Sequence, residues 1–171
     1  MKLSSVCIAS LFFLLSVLFS EPDEEINKIK EAAPNVASVK PNKERHVLVY
    51  SKPSGFKHNS IPTGIKGLRV LADKTNAFNA TFTLETNEFT VAGLKKYDAI
   101  IFNNTTHVQK AFTQKFQRDA ILNFIKEGKG FIGFHSASDG GMSQWQEYTD
   151  MIGGCFDGHP WNAGGKWPFF V

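Results

Sequence analysis

Short runs of consecutive apolar residues alternate along this chain with stretches in which apolar positions recur every three or four residues, and that alternation predicts its architecture. His46-Val-Leu-Val-Tyr50, Asp98-Ala-Ile-Ile-Phe102 and Gly130-Phe-Ile-Gly-Phe134 are continuous apolar runs bounded by loop formers. Such runs are the mark of strands buried on both faces of a parallel sheet. Thr81 to Leu84 alternates like a further strand, and Cys155 to Asp157 is expected to begin a fifth. Between the strands, Ile61, Ile65, Leu68, Leu71 and Ala72 fall at helical spacing, which predicts a helix capped by Ser60 and running to Asn76. Phe116, Ala120, Ile121, Phe124 and Ile125 predict another that starts at Thr113 and stops at Gly128. Val91 to Lys96 suggests a helical turn, and Trp145, Tyr148, Met151 and Ile152 place a last helix over Ser143 to Ile152. Strands alternating with helices at this spacing mean βαβ units, so the expected fold is α/β: a parallel, flavodoxin-like sheet with helices on both faces.

Composition changes the picture mainly at the amino terminus. Lys2 followed by the apolar run Val6 to Phe19, ending at Ser20, reads as a secretory signal peptide over residues 1–20. That run is short for a membrane span, so no span is expected after cleavage, and the protein is expected to be secreted or extracytoplasmic. Residues 21–44 are charged, carry Pro22, Pro34 and Pro41 and lack aromatics, which reads as a flexible linker; Ile26 and Ile29 would allow a short helix there. The domain proper is expected over 45–171. Its last residues, Phe169-Phe170-Val171, lie inside an apolar run, so the domain is expected to be carboxyl-terminally incomplete.

The chain has 171 residues, 42% of them hydrophobic and 20% charged, which suits one globular domain. Its net charge of +3 comes from scattered lysines rather than a basic stripe, so no nucleic-acid partner is expected. Loss of Cys7 with the signal would leave Cys155 alone, excluding an internal disulfide; a lone cysteine of this kind reads first as a small buried hydrophobe. Sequons at Asn79, Asn103 and Asn104 matter only in a glycosylating host.

In open α/β sheets, ligands bind beyond the carboxyl ends of the strands. There the chain carries His58 after the first strand, Asn103, Asn104, Thr105, Thr106 and His107 after Phe102, His135, Ser136, Ser138 and Asp139 after Phe134, and Asp157 with His159 further on. Only His46 of the five histidines lies at the opposite end. Imidazoles titrate near neutrality, so their convergence on one crevice points to proton transfer or metal binding. His135, His58 and Asp139 are the candidate catalytic groups. Asn103, Asn104, Thr105, Ser136 and Trp161 are candidates for substrate binding. His58, His135 and His159 form a side-chain set compatible with a divalent metal such as zinc. No G-x-S-x-G elbow, Walker loop or G-x-G-x-x-G run is present, which argues against a serine hydrolase and a nucleotide site. Trp145, Trp161 and Trp167 could stack on sugar rings, although the helical spacing of Trp145 from Tyr148 suits a core position better.

Four motifs in order then carry a resemblance: Val47-Leu-Val-Tyr50 leading to Gly55-Phe-Lys-His58-Asn-Ser60-Ile-Pro62, Tyr97-Asp98-Ala-Ile-Ile-Phe102-Asn103-Asn104-Thr105-Thr106, Gly128-Lys-Gly130-Phe-Ile-Gly133-Phe-His135-Ser-Ala-Ser-Asp139, and Gly153-Gly-Cys-Phe156-Asp-Gly-His159-Pro160. Together they resemble the ThuA-like (trehalose utilisation) domain. The resemblance implies a fold similar to class I glutamine amidotransferases, a link to trehalose and keto-glycoside metabolism, and a domain that continues past this chain. The position matching the amidotransferase catalytic cysteine is His135, so amidotransferase chemistry is not expected. Two readings follow: an enzyme acting on a carbohydrate by acid/base or metal-assisted chemistry, and a non-catalytic extracellular sugar-binding module. The expected partner is a small carbohydrate, with homo-oligomerisation left open. An inactive gene fragment is a third reading.

Overall fold

Two of the strands, the runs ending at Tyr50 and Asn103, form because short apolar runs cannot be satisfied in water, and a parallel sheet is what covers them on both faces. The computed structural model describes residues 23–141 and 144–158; His159, Trp161 and Trp167 lie outside them. Strands β1 (His46–Tyr50), β2 (Asn79–Thr83), β3 (Ala99–Asn103) and β4 (Gly130–Phe134) pair in parallel, in the order β2-β1-β3-β4. That is the flavodoxin-like order that the sequence predicts for these strands. Strand β2 begins two residues before its expected start, because the ladder pairs Asn79 with His46 and Asn79 N–H donates to Arg45 C=O at 2.7 Å.

Helix α1 (Glu24–Ala32) precedes the sheet, in the segment expected to be a linker. It buries no side chain. Polar contacts hold it to helix α2 (Ile61–Thr75): Lys66 pairs with Asp23 and with Glu25, and Lys74 Nζ donates to Ala33 C=O at 2.7 Å. Helix α3 (Val91–Leu94) follows β2, α4 (Val108–Ala111) and α5 (Lys115–Lys126) follow β3, and α6 (Gln146–Ile152) comes after β4.

Alternate residues of each strand face opposite layers. Leu48, Tyr50, Ile100 and Phe102 join Phe89, Phe112, Ile121, Trp145 and Tyr148 in the main core, beneath α3, α5 and α6. Val47, Val49 and Ile101 meet Leu68 of α2 on the other face. Trp145 is therefore core, as its spacing suggested. Full burial of each such side chain contributes about 1.5–3 kcal/mol. Tyr50, Phe89, Phe102 and Phe112 form a mutually contacting aromatic group with ring centroids 4.8 to 5.9 Å apart. Such pairs contribute about 0.5–1.5 kcal/mol each beyond area.

Four sequence expectations are corrected. Strand β4 is not buried on both faces: with β3 as its partner among the described residues, it leaves Ile132 45% and Phe134 41% exposed. Cys155 to Asp157 form no strand among the described residues, because that backbone meets the turn after β4 instead, with Phe156 N–H donating to Ser138 C=O at 3.0 Å. This leaves Cys155 exposed rather than buried. Ser60 precedes α2 but caps none of its amides; its hydroxyl donates instead to Asn104 Oδ1 at 3.2 Å.

Candidate functional site

The parallel order places the loops after β1, β3 and β4 side by side at one edge, around the point where the chain turns from building outward on one side of β1 to the other. Two side-chain networks lock these loops. Asn103 Nδ2 donates to Ser51 Oγ at 3.2 Å and to Ile61 C=O at 3.1 Å, and Asn104 Nδ2 donates to Asn103 Oδ1 at 2.9 Å. Gly64 makes room for this amide, since a Cβ there would lie 2.4 Å from Asn103 Oδ1. Thr106 does the same for the β1 loop: its hydroxyl accepts from Gly55 N–H at 3.1 Å and donates to Phe56 C=O at 2.9 Å, while its own C=O accepts from Ser54 N–H at 2.9 Å.

These locks decide which candidates reach the crevice. Asn103, Asn104, Thr105 and Ser136 are all buried, and the two asparagine amides are engaged by the scaffold. His58 is half-buried and His135 exposed, and their rings meet edge to face with centroids 4.5 Å apart. Asp139 lies with them, close enough for its charge to act on His58. Burial and the neighbouring His135 hold the His58 imidazole below its ordinary value of 6.5, with the Asp139 carboxylate pulling the other way. His58 is therefore biased toward the neutral, proton-accepting form. The expected metal set brings His58 and His135 together, while His159 and the candidate sugar contact Trp161 fall outside the described residues. No group of three or more His, Cys, Asp or Glu side chains suited to a metal ion occurs among the described residues.

The backbone at this edge is strained. Asn104, His107 and His135 have φ values of 55°, 51° and 49°, a left-handed conformation unusual outside glycine. For His135 the cause is an elbow: β4 turns at once into a single 3-10 turn, His135–Ser138. Gly133 permits it, since a Cβ there would approach Ala137 Cβ to 3.0 Å. The spacing, a small residue two positions either side of the presented side chain, is that of a nucleophile elbow with imidazole in place of a nucleophile. Residues held this way cluster at functional sites.

His107 entered the sequence reading without a role, and the structure brings it in. Its N–H donates to Asp139 C=O at 2.5 Å, its Nδ1 lies 3.5 Å from Asp139 Oδ1, and a Cβ on Gly55 would come within 2.2 Å of its ring. Phe56, which the sequence places in the same loop as His58, likewise had no role. It is 72% exposed, and its ring meets His58 at a centroid distance of 4.9 Å. Its signal was legible: it is the one aromatic in the otherwise polar loop from Ser51 to Ser60. Beside His135 runs an open groove of about 440 Å³, lined by Phe131, Gly133, Ala137, Met151 and Ile152. Other grooves lie at the β2 edge and between α3 and α5, away from the imidazoles.

Among the described residues, no helix is long and apolar enough to cross a membrane. None of the curated proteins matches the chain. The crystal structure of a ThuA-like protein from Bacteroides uniformis ATCC 8492 is similar to it, with 21% identity, a TM-score of 0.53, and coverage of 69% of this chain and 48% of that one. The chain thus spans about half the length of that structure, and at this identity the likeness shows the α/β fold. The family model ThuA, described as trehalose utilisation, matches residues 46–168, from the first residue of β1 past the last described residue. The family's description ties it to carbohydrate metabolism, and on that match this chain belongs to the ThuA, or trehalose utilisation, family.

Proposed function

We infer that the protein performs acid/base chemistry on a carbohydrate at the crevice of His58, His135 and Asp139. The observation that carries this is the pair of imidazoles meeting at 4.5 Å although they belong to loops of different strands, one of them on a strained elbow. His58, biased toward its neutral form, accepts a proton from a carbon or hydroxyl beside a sugar carbonyl. Asp139 favours the imidazolium that results, and His135 carries the proton delivered to the other end of the reacting bond. Enolisation or elimination at a keto-glycoside needs these two transfers. The family's carbohydrate link supports this class of substrate. The protein acts outside the cytoplasm, as the signal-like residues 1–20 suggest; amino-terminal sequencing of the mature protein is expected to begin at Glu21.

The test is turnover of keto-glycosides by the full chain, followed by NMR. His135→Ala is expected to lower the rate at least about 100-fold with its thermal midpoint unchanged, the lower end of what positioned acid/base groups contribute. An equal rate in the variant would contradict the assignment. Binding of the sugar without any turnover by the wild type would favour the non-catalytic module.

A further inference from the structure

We propose that Phe56 is the sugar-stacking platform of this site, a seat for the apolar face of a pyranose ring beside the paired imidazoles. The proposal rests on the carbohydrate reading above and adds the residue that recognises the ring. A singly exposed aromatic is ordinary on a protein surface, but three features set this one apart. Phe56 keeps 72% of its surface open while its ring meets that of His58 in a T-shaped contact, and His58 in turn meets His135, so the three rings contact in succession up to the strained elbow. Its backbone is fixed rather than free: the Thr106 hydroxyl donates to Phe56 C=O at 2.9 Å and accepts from Gly55 N–H at 3.1 Å, and Thr106 itself is buried. Gly55 lies so close to the His107 ring that a Cβ there would reach 2.2 Å from Cδ2, which closes the loop against the β3 side. An aromatic face held in place without covering the core is what a ligand with an apolar face requires. A pyranose is such a ligand, for its axial C–H groups form one while its hydroxyls radiate toward polar side chains. The one tryptophan candidate within the described residues, Trp145, is 2% exposed and cannot serve.

Binding to the full chain is measured by saturation-transfer NMR with trehalose and methyl α-glucopyranoside as probes, and with sorbitol as an open-chain polyol that lacks a ring face. Wild type is expected to bind both pyranosides in preference to sorbitol, with the strongest transfer to the ring C–H protons. Phe56→Ala is expected to weaken pyranoside binding about tenfold, and Phe56→Trp to retain it. The side chain is exposed, so both variants should keep the wild-type thermal midpoint, which separates a lost platform from a lost fold. Wild-type binding that survives unchanged in Phe56→Ala would overturn the platform and leave the acid/base reading standing. A wild type that binds neither pyranoside would overturn the carbohydrate reading, and the platform with it.

Discussion

The two edges of one sheet hold the same kinds of residue and treat them in opposite ways. At the amino edge, Asp98 accepts from His46 N–H at 3.0 Å and pairs with Lys43 at 2.8 Å and Arg45 at 3.2 Å, so its carboxylate is surrounded by partners. At the carboxyl edge, the Asp139 carboxylate lies 3.5 Å from the His107 imidazole, and Thr105 Oγ1, His107 Nδ1 and Ser136 Oγ are buried without a hydrogen-bond partner among the described residues. The backbone differs in the same sense: three of the four non-glycine residues with positive φ among the described residues lie at the carboxyl edge, and the fourth, Asn76, ends α2. A saturated edge stabilises. An unsaturated, strained one lowers stability and leaves groups free to act.

The largest expected contrast follows from exchanging the two carboxylates for methyl groups. Asp98→Ala removes a charged acceptor from a backbone amide and two cations, and should cost about 2–3 kcal/mol in urea unfolding. Asp139→Ala should stay within about 0.5 kcal/mol of wild type while impairing turnover. Equal costs would erase the distinction between the edges.

Next in size is relief of the elbow. His135→Gly removes a left-handed penalty of about 1–2 kcal/mol and adds about 0.5–1 kcal/mol of glycine flexibility. It should therefore unfold at the same or slightly higher urea concentration than wild type, whereas His135→Ala keeps the strain. A clear loss of stability in the glycine variant would mean that the imidazole supports the fold instead.

The smallest effect is in the acid response, where the edges should separate by pH. Lys43 and the His46 amide hold the Asp98 carboxyl well below its ordinary value of 3.8, so the unfolded chain takes up that proton first. Its stabilisation is present above pH 3.8 and lost as pH falls further. The folded value of His58 also lies below its ordinary one, so here too the unfolded chain binds the proton first, but the loss begins as pH falls through 6.5. Thermal midpoints measured between pH 7 and 5 should decline less in His58→Gln than in wild type, and the two should converge in slope below that range.

The fold was largely legible because its strands are continuous apolar runs: the expected spans of β1 and β4 coincide with those observed, and β3 is displaced by one residue. What escaped was set by partners that a linear pattern does not contain. Burial of β4 depends on a neighbour beyond it, the start of β2 on its register with His46, and the fate of Ser60 on an amide that reaches it from the β3 loop. The site divides similarly. His58, His135 and Asp139 could be placed at one edge by topology alone, whereas the burial of Asn103 and Asn104, and the entry of His107 and Phe56, came from loop-to-loop hydrogen bonds through Thr106 and Asp139.

The meeting of the two imidazoles is what the functional account stands on, and ring-to-ring nuclear Overhauser contacts in histidine-labelled full chain report it without any ligand. The expected result is a cross-peak between the ring protons of His58 and His135 that disappears in His135→Ala. Two well-resolved ring spectra with no cross-peak between them would contradict it.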